Sequence, residues 1–189
     1  LPSPFRFAEQ ATLRIPAMAV DPRDPDSHSA AVASMMPSLR QGVQGGLVLF
    51  TSWRQMFQVM EMLEPEFRDG ILAQGALSKA EMVTQHKQRI DDGHRSIIFG
   101  LASFAEGIDL PGNYCDHVVV VKIPFAVPDD PVGATLSEWI EARGGNAFQE
   151  IMIPDAALRM VQACGRLLRT ETDTGVITIL DRRLVTQRY

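Results

Sequence analysis

Leu47-Val48-Leu49-Phe50-Thr51-Ser52-Trp53 is a run of large apolar side chains that stops abruptly at two hydroxyls. A run this short and this uniformly apolar suits a strand covered on both faces. With this run counted as Gly46 to Thr51, the same signature recurs at Arg14 to Val20, Gly70 to Gln74, Arg95 to Leu101, His117 to Ile123 and Gly175 to Asp181. Between these runs, helical periodicity spans roughly Ser27 to Gln41, Trp53 to Leu63, Lys79 to Asp91, Val132 to Arg143 and Asp155 to Arg169. Strand alternating with helix predicts an α/β fold with a mostly parallel sheet flanked by helices. Gly45-Gly46, Asp92-Gly93 and Gly144-Gly145 supply the expected punctuation. The stretch Pro124 to Pro154, opening with Pro124, Pro128 and Pro131 and holding one helix around Trp139, reads as an insertion above the sheet edge.

A chain of 189 residues, 46% hydrophobic and 22% charged, is large enough to bury a proper core and forms one domain over residues 1–189. Disorder and a disulfide-stapled miniprotein are excluded. Cys115 and Cys164 lie far apart, so cysteine alone assembles neither a zinc site nor an iron–sulfur cluster, and a reduced, cytoplasmic setting follows. His28, His86, His94 and His117 lack the helical spacing of a metal face, and no metal ligand is assigned. No apolar run approaches the roughly 20 residues of a membrane span. The opening Leu1-Pro2-Ser3-Pro4-Phe5 has neither the initiator methionine nor the basic and apolar regions of a signal peptide, and reads as the start of a part excised from a longer protein.

Eighteen basic against 23 acidic residues give a net charge of −5, which argues against a stand-alone module that holds nucleic acid through charge. The balance is uneven. Residues 155–189 carry six arginines against four acids, whereas residues 1–154 carry twelve bases against nineteen acids. A phosphate-facing surface therefore belongs toward the C-terminal end. In open parallel sheets ligands gather where strands end, which directs attention to the segments after Phe50, Gln74, Leu101, Ile123 and Leu180.

Pro154 to Arg169 reads as a helix with Asp155 as N-cap. At about 100° per residue, Asp155, Arg159, Gln162, Arg166 and Arg169 share an arc of about 80°. Ala157, Met160, Val161, Cys164, Leu167 and Leu168 occupy the opposite side, where Cys164 is a packing residue. An ordinary solvated face is one reading of the arginine stripe. Two features favour an anion or a close neighbour: the arginines repel one another, and Gly165 in mid-helix costs about 1 kcal/mol against alanine.

The spacing Gln-x-x-Gly-Arg-x-x-Arg, here Gln162, Gly165, Arg166 and Arg169, resembles motif VI of superfamily 2 helicases. Together with Gly175 to Tyr189 it is similar to the end of the motor core in the DinG-family ATP-dependent DNA helicases, relatives of XPD. The resemblance implies a RecA-like second helicase domain in which Arg166 and Arg169, with Gln162, reach across a cleft to a bound triphosphate. Phosphoryl transfer builds charge on equatorial oxygens, and a planar, permanently charged guanidinium stabilises it.

Ala102-Ser103-Phe104-Ala105-Glu106-Gly107-Ile108-Asp109-Leu110-Pro111-Gly112 follows a strand and resembles motif V. Alone, Glu-Gly-x-Asp is as well read as a turn whose carboxylates cap backbone amides. The resemblance makes Glu106, Gly107 and Asp109 nucleotide-binding candidates and places Ser103 toward single-stranded DNA. Gly107 allows close backbone approach, and Glu106 and Asp109 hold water or orient the arginines. Thr51 and Ser52 resemble motif IV, whose hydroxyls hold a DNA phosphate, and serve equally as the N-cap of the next helix; the two roles are compatible. Gln74-Gly75, Lys122-Ile123-Pro124-Phe125 and Ser3-Pro4-Phe5 also match. Trp53 and Trp139 offer stacking surfaces for bases, but a lone tryptophan on a helix is more commonly core.

No G-x-x-x-x-G-K-[ST] loop and no Asp-Glu pair suited to magnesium occurs in the chain. The resemblance thus implies that ATP and Mg2+ are held mainly by an N-terminal motor domain of the same polypeptide, that any iron–sulfur cluster lies there too, and that the isolated chain is inactive. It implies single-stranded or forked DNA as partner, work in repair or replication, no membrane, and a bacterial cytoplasmic, nucleoid-associated location. The alternative is a non-catalytic RecA-like module that docks DNA or a protein. A nicotinamide enzyme is disfavoured, since no G-x-G-x-x-G follows a strand.

Overall fold

The computed structural model describes residues 6–126 and 131–188. The opening match at Ser3-Pro4-Phe5, and Pro128 within the expected insertion, lie outside the described residues. In chain order the elements are α1 Phe7–Gln10, β1 Ala11–Arg14, α2 Pro25–Leu39, β2 Gly45–Phe50, α3 Trp53–Met62, α4 Pro65–Arg68, β3 Ile71–Ala73, α5 Lys79–Asp91, β4 Ser96–Leu101 and α6 Ala102–Ala105. A 3-10 turn Gly112–Cys115 then leads to β5 His117–Val120, α7 Pro131–Ala142, a π turn Phe148–Met152, α8 Ile153–Cys164, β6 Gly175–Ile179 and α9 Arg183–Thr186.

The strands form a single six-stranded sheet in the order β1-β6-β5-β2-β4-β3, and every pairing is parallel. Alternation along each strand explains why the strand runs are apolar throughout. Leu47, Leu49, Ile98, Val118 and Val120 point to one face and pack with Met82 of α5 and with Ala163 and Leu167. Val48, Phe50, Phe99, Val119 and Val121 point to the other, against Val32 and Met36 of α2 and Met56 and Val59 of α3. The central strands are thus buried on both faces, as the sequence pattern requires.

Local chemistry sets the helix ends. Asp24 caps α2 by accepting from the Ser27 amide at 3.3 Å. At α5, Ser78 accepts from the Glu81 amide while the Glu81 carboxylate accepts from the Ser78 amide, a reciprocal capping box. The connection from β5 to β6 carries α7 and then the π turn, which runs directly into α8. No helix among the described residues is long and apolar enough to cross a membrane.

Two elements depart from the sequence expectation. The first strand is Ala11–Arg14, not Arg14 to Val20. Pro16 offers no amide to a ladder, and the real strand is a short edge strand whose Leu13 is exposed. The arginine helix begins at Ile153 and ends at Cys164, so Asp155 lies in its first turn and is no cap. Gly165 is the residue that closes the helix and carries no mid-helix cost. The buried face of α8 is Ala156, Ala163 and, beyond the helix end, Leu167, with Met160 partly buried, while Leu158 and Val161 face outward. Small alanines let α8 approach the sheet closely; of the expected apolar side, Leu167 and Leu168 are buried and Met160 and Cys164 partly so, whereas Ala157 and Val161 are left outside.

Candidate functional site

β2 and β4 are hydrogen-bonded neighbours with Phe50 opposite Leu101. The segments that leave them, Thr51-Ser52 and Ala102-Ser103, therefore emerge side by side at the C-terminal edge of the sheet, all three hydroxyl residues exposed. Ser52 caps α3, its hydroxyl accepting from the Gln55 amide at 3.3 Å. A cap of this kind leaves other amides of the first turn open to an anion, so the structural and the phosphate-holding readings coexist.

After α6 the chain turns through Glu106 and Gly107. Gly107 has φ of +74°, and an added Cβ there would meet only open space. The left-handed conformation requires glycine, and the open space leaves the backbone approachable. Ile108 and Leu110 are buried anchors, while Asp109 between them stays 75% exposed. Lys79, at the start of α5, donates its ammonium to the Glu106 carbonyl.

Arg166 and Arg169 lie on the turns that follow α8, and both donate to one acceptor. Arg166 Nη1 is 3.2 Å and Arg169 Nη2 is 2.8 Å from the carbonyl oxygen of Ile108. Two guanidiniums share one neutral carbonyl, and among the described residues no carboxylate hydrogen-bonds to either. The Asp109 carboxylate stands 3.6 Å from Arg169 Nε, too far for a hydrogen bond, and that buried nitrogen makes none. Arg159, by contrast, is matched within its own helix by Asp155 at 2.7 Å. Burial and the neighbouring Arg169 push the Arg166 guanidinium below its ordinary value, against the opposing pull of Glu106 and Asp109.

Asp173 holds this turn. Its Oδ2 accepts from the amides of Arg169 at 2.7 Å and Thr170 at 2.9 Å, and its Oδ1 from the Thr170 hydroxyl at 2.5 Å and the Gly112 amide at 3.2 Å. Burial alone would raise its carboxyl, but these donors outweigh it and hold the group below the usual carboxylate range. One carboxylate thus ties the arginine turn to the far end of the Glu106–Gly112 loop. Gln162 and Arg166 face Ser103 and Glu106 across a cleft that Arg159 also lines.

The helicase C-terminal domain family matches residues 35–189. The chain belongs to that family. It is 38% identical to the ATP-dependent DNA helicase DinG of Photobacterium profundum over 100% of this chain and 28% of the relative. It is 36% identical to the Escherichia coli (strain K12) protein of the same name, over 100% of this chain and 27% of that one. A solved XPD helicase superposes with a TM-score of 0.71 at 19% identity, over 92% of this chain and 32% of the other, which shows the RecA-like helicase fold. The chain spans little more than a quarter of the length of the curated relatives it matches.

In this helicase C-terminal domain the expected site residues fall into two adjoining groups. Gln162, Arg166, Arg169, Glu106, Gly107 and Asp109 lie around the Ile108 carbonyl and the cleft, and Thr51, Ser52 and Ser103 lie at the strand ends beside it. Sequence reading missed three participants. The Ile108 carbonyl carries no side-chain mark, and Lys79 and Asp173 fall outside the matched motifs. The only signal for Asp173 was a carboxylate four residues beyond Arg169 in Thr-x-x-Asp. Among the described residues, no group of three His, Cys, Asp or Glu side chains converges as metal ligands would.

Neither tryptophan is core. Trp53 is 40% and Trp139 57% exposed. Trp53 stacks on Phe57, and Trp139 lies under the Arg143 guanidinium, 3.9 Å from the ring centre. Cys164 is partly buried, and burial pushes its thiol up to about 11, which leaves it a packing group.

Proposed function

We propose that this chain is the second motor domain of an ATP-dependent DNA helicase. On this reading an N-terminal motor domain of the same polypeptide supplies the phosphate cradle and the magnesium carboxylates, with any iron–sulfur cluster also on that side. Arg166 and Arg169, assisted by Gln162, complete the ATP site as arginine fingers. Thr51, Ser52 and Ser103 grip the backbone of single-stranded or forked DNA, so that hydrolysis drives translocation and unwinding in repair or replication. The protein works in the bacterial cytoplasm at the nucleoid, and the isolated chain does not turn over ATP.

The observation that carries this reading is the pair of guanidiniums on the Ile108 carbonyl. They are prepositioned, only partly solvated, and uncompensated by a bonded carboxylate, which is the state expected of groups awaiting a triphosphate. Any magnesium arrives with the nucleotide and would be held from the other domain.

The test is DNA-stimulated ATP hydrolysis by the full-length protein. Arg169→Ala should lower turnover by about 10³- to 10⁵-fold while single-strand affinity is retained. Arg169→Lys, which keeps the charge and loses the fork, should recover little. Normal turnover in Arg169→Ala would remove the arginine finger from the mechanism.

A further inference from the structure

Trp53, Phe57 and Leu77 leave substantial apolar surface in solvent although both faces of the sheet are already packed. The Trp53 and Phe57 rings are stacked, with centres 5.8 Å apart and planes 18° from parallel. Gly75, at φ of +100°, passes beside the indole: a Cβ on it would stand 3.3 Å from the ring. Glycine at this position leaves room for the indole, which stays 40% exposed.

The ring opens on a shallow cleft lined by Trp53, Gly75, Leu77, Lys79, Ser103 and Phe104. In a chain of net charge −5, the lining of this cleft contains one lysine and no carboxylate. Ser103 lines this cleft and also the arginine cleft described above. Ser52, whose hydroxyl caps α3, precedes Trp53 directly.

We infer that Trp53, backed by Phe57, is a stacking platform for one base of the single strand, beside the hydroxyls proposed to hold its phosphates. The inference rests on the DNA-binding reading of Thr51, Ser52 and Ser103. A flat, rigid aromatic face beside a cation and an exposed hydroxyl matches a nucleotide, whose base offers a π face and whose phosphate offers the charge. Every base has such a face, so the contact tolerates sequence and suits a motor that moves along DNA. An acidic or purely apolar peptide would use one half of this surface and leave the other unmatched.

The experiment measures binding of fluorescently labelled (dT)15, and of the same strand built entirely of abasic sugar-phosphate units, to the full-length protein. Three forms are compared: native, Trp53→Ala and Trp53→Phe. Native protein should prefer the intact strand. Trp53→Ala should weaken it by about five- to hundredfold, the worth of one stacked base, with little change for the abasic strand. Trp53→Phe should keep most of the affinity. A 2-aminopurine substituted into the strand should be quenched by native protein and less so by Trp53→Ala. Equal affinity of Trp53→Ala and native protein for (dT)15 overturns the platform and leaves the phosphate grip standing. An equal loss for intact and abasic strands also overturns it, since the variant then acts through the fold. Failure of native protein to bind either strand overturns the DNA-binding reading itself.

Discussion

Replacing Asp173 with asparagine should loosen the junction between the arginine turn and the Glu106–Gly112 loop without changing side-chain shape. The carboxylate has four donors, two on each oxygen. If the new amide nitrogen replaced Oδ2, it would face the amides of Arg169 and Thr170, neither of which can turn away. The cheaper orientation puts it at Oδ1, where the Thr170 hydroxyl can rotate to accept and only the Gly112 amide is left without an acceptor. A hydrogen bond to a charged group is worth about 1.5 to 3 kcal/mol, and the Gly112 contact, at 3.2 Å, belongs at the lower end. Weakening the two amide bonds that remain adds about 1 kcal/mol, for a total of about 3 kcal/mol against a usual stability of about 5 to 15 kcal/mol.

The pH dependence identifies the group responsible. The folded Asp173 carboxyl is held below its unfolded value, so its contribution is fully present above about pH 4 and is lost as pH falls through the lowered folded value. Urea unfolding of native and Asp173→Asn chains, followed by circular dichroism, should show a wide separation of midpoints at pH 7 that narrows below pH 4. In the full-length protein the same substitution should lower DNA-stimulated ATP turnover about tenfold or more, since a misplacement of about 1 Å already costs 10²-fold. Coincident midpoints at pH 7, or a separation unchanged down to pH 3, would refute the assignment.

Buried histidines make a second acid-sensitive contribution. His28, His86 and His117 are each held neutral, first by burial, with one ring nitrogen donating to a backbone carbonyl: Leu180 at 2.8 Å, Tyr114 at 2.7 Å and Leu39 at 3.1 Å. Their folded values lie below the unfolded value of about 6.5, so stability is fully present above that pH and falls by up to about 1.4 kcal/mol per pH unit for each group as pH drops. The urea midpoint should therefore decline steeply from pH 6.5 to 5, and a flat profile there would contradict the neutral assignment. Close strand packing gives another test. A Cβ on Gly45 would run into the Tyr114 carbonyl and cannot escape by rotation, whereas Gly42, at φ of +76°, faces open space. Gly45→Ala should cost about 2 kcal/mol or more and Gly42→Ala about 1 kcal/mol, measured by the same unfolding curves; the reverse order would refute the packing.

Legibility in the sequence followed burial. Leu47 to Phe50, Ile97 to Phe99 and Val118 to Val121 were readable as strands because both of their faces are covered. β1 was misplaced because an exposed edge strand has no such pattern, and because Ile15 and Val20 mimic one around Pro16. In α8 periodicity found the helix and most of its packed side, Met160, Cys164, Leu167 and Leu168, but misplaced Ala157 and Val161 and passed over Ala156 and Ala163. Leu158 and Val161 outweigh Ala156 and Ala163 in hydrophobicity, yet close approach to the sheet selects the small side chains. The candidate site was readable where a spacing marks particular side chains, as at Gln162, Arg166 and Arg169. It was unreadable where the fold supplies a backbone atom, as at Ile108, or a carboxylate whose partners are amides, as at Asp173.

These two hidden groups determine how the readable ones act together. The Ile108 carbonyl takes both arginines, and Asp173 pins the arginine turn to Gly112, so the loop from Glu106 to Gly112 is held at its middle and at its end by the segment carrying the cations. At its start the loop joins α6, whose Ser103 lines both the arginine cleft and the aromatic cleft. On the proposed reading, a triphosphate that engages the remaining donors of Arg166 and Arg169 acts on the Ile108 carbonyl they hold, while Asp173 keeps the end of the loop fixed. That pull is passed to residues 106–111, next to Ser103 and the DNA phosphate it is proposed to hold. On that reading, occupancy of the nucleotide side reaches the DNA side through this short segment.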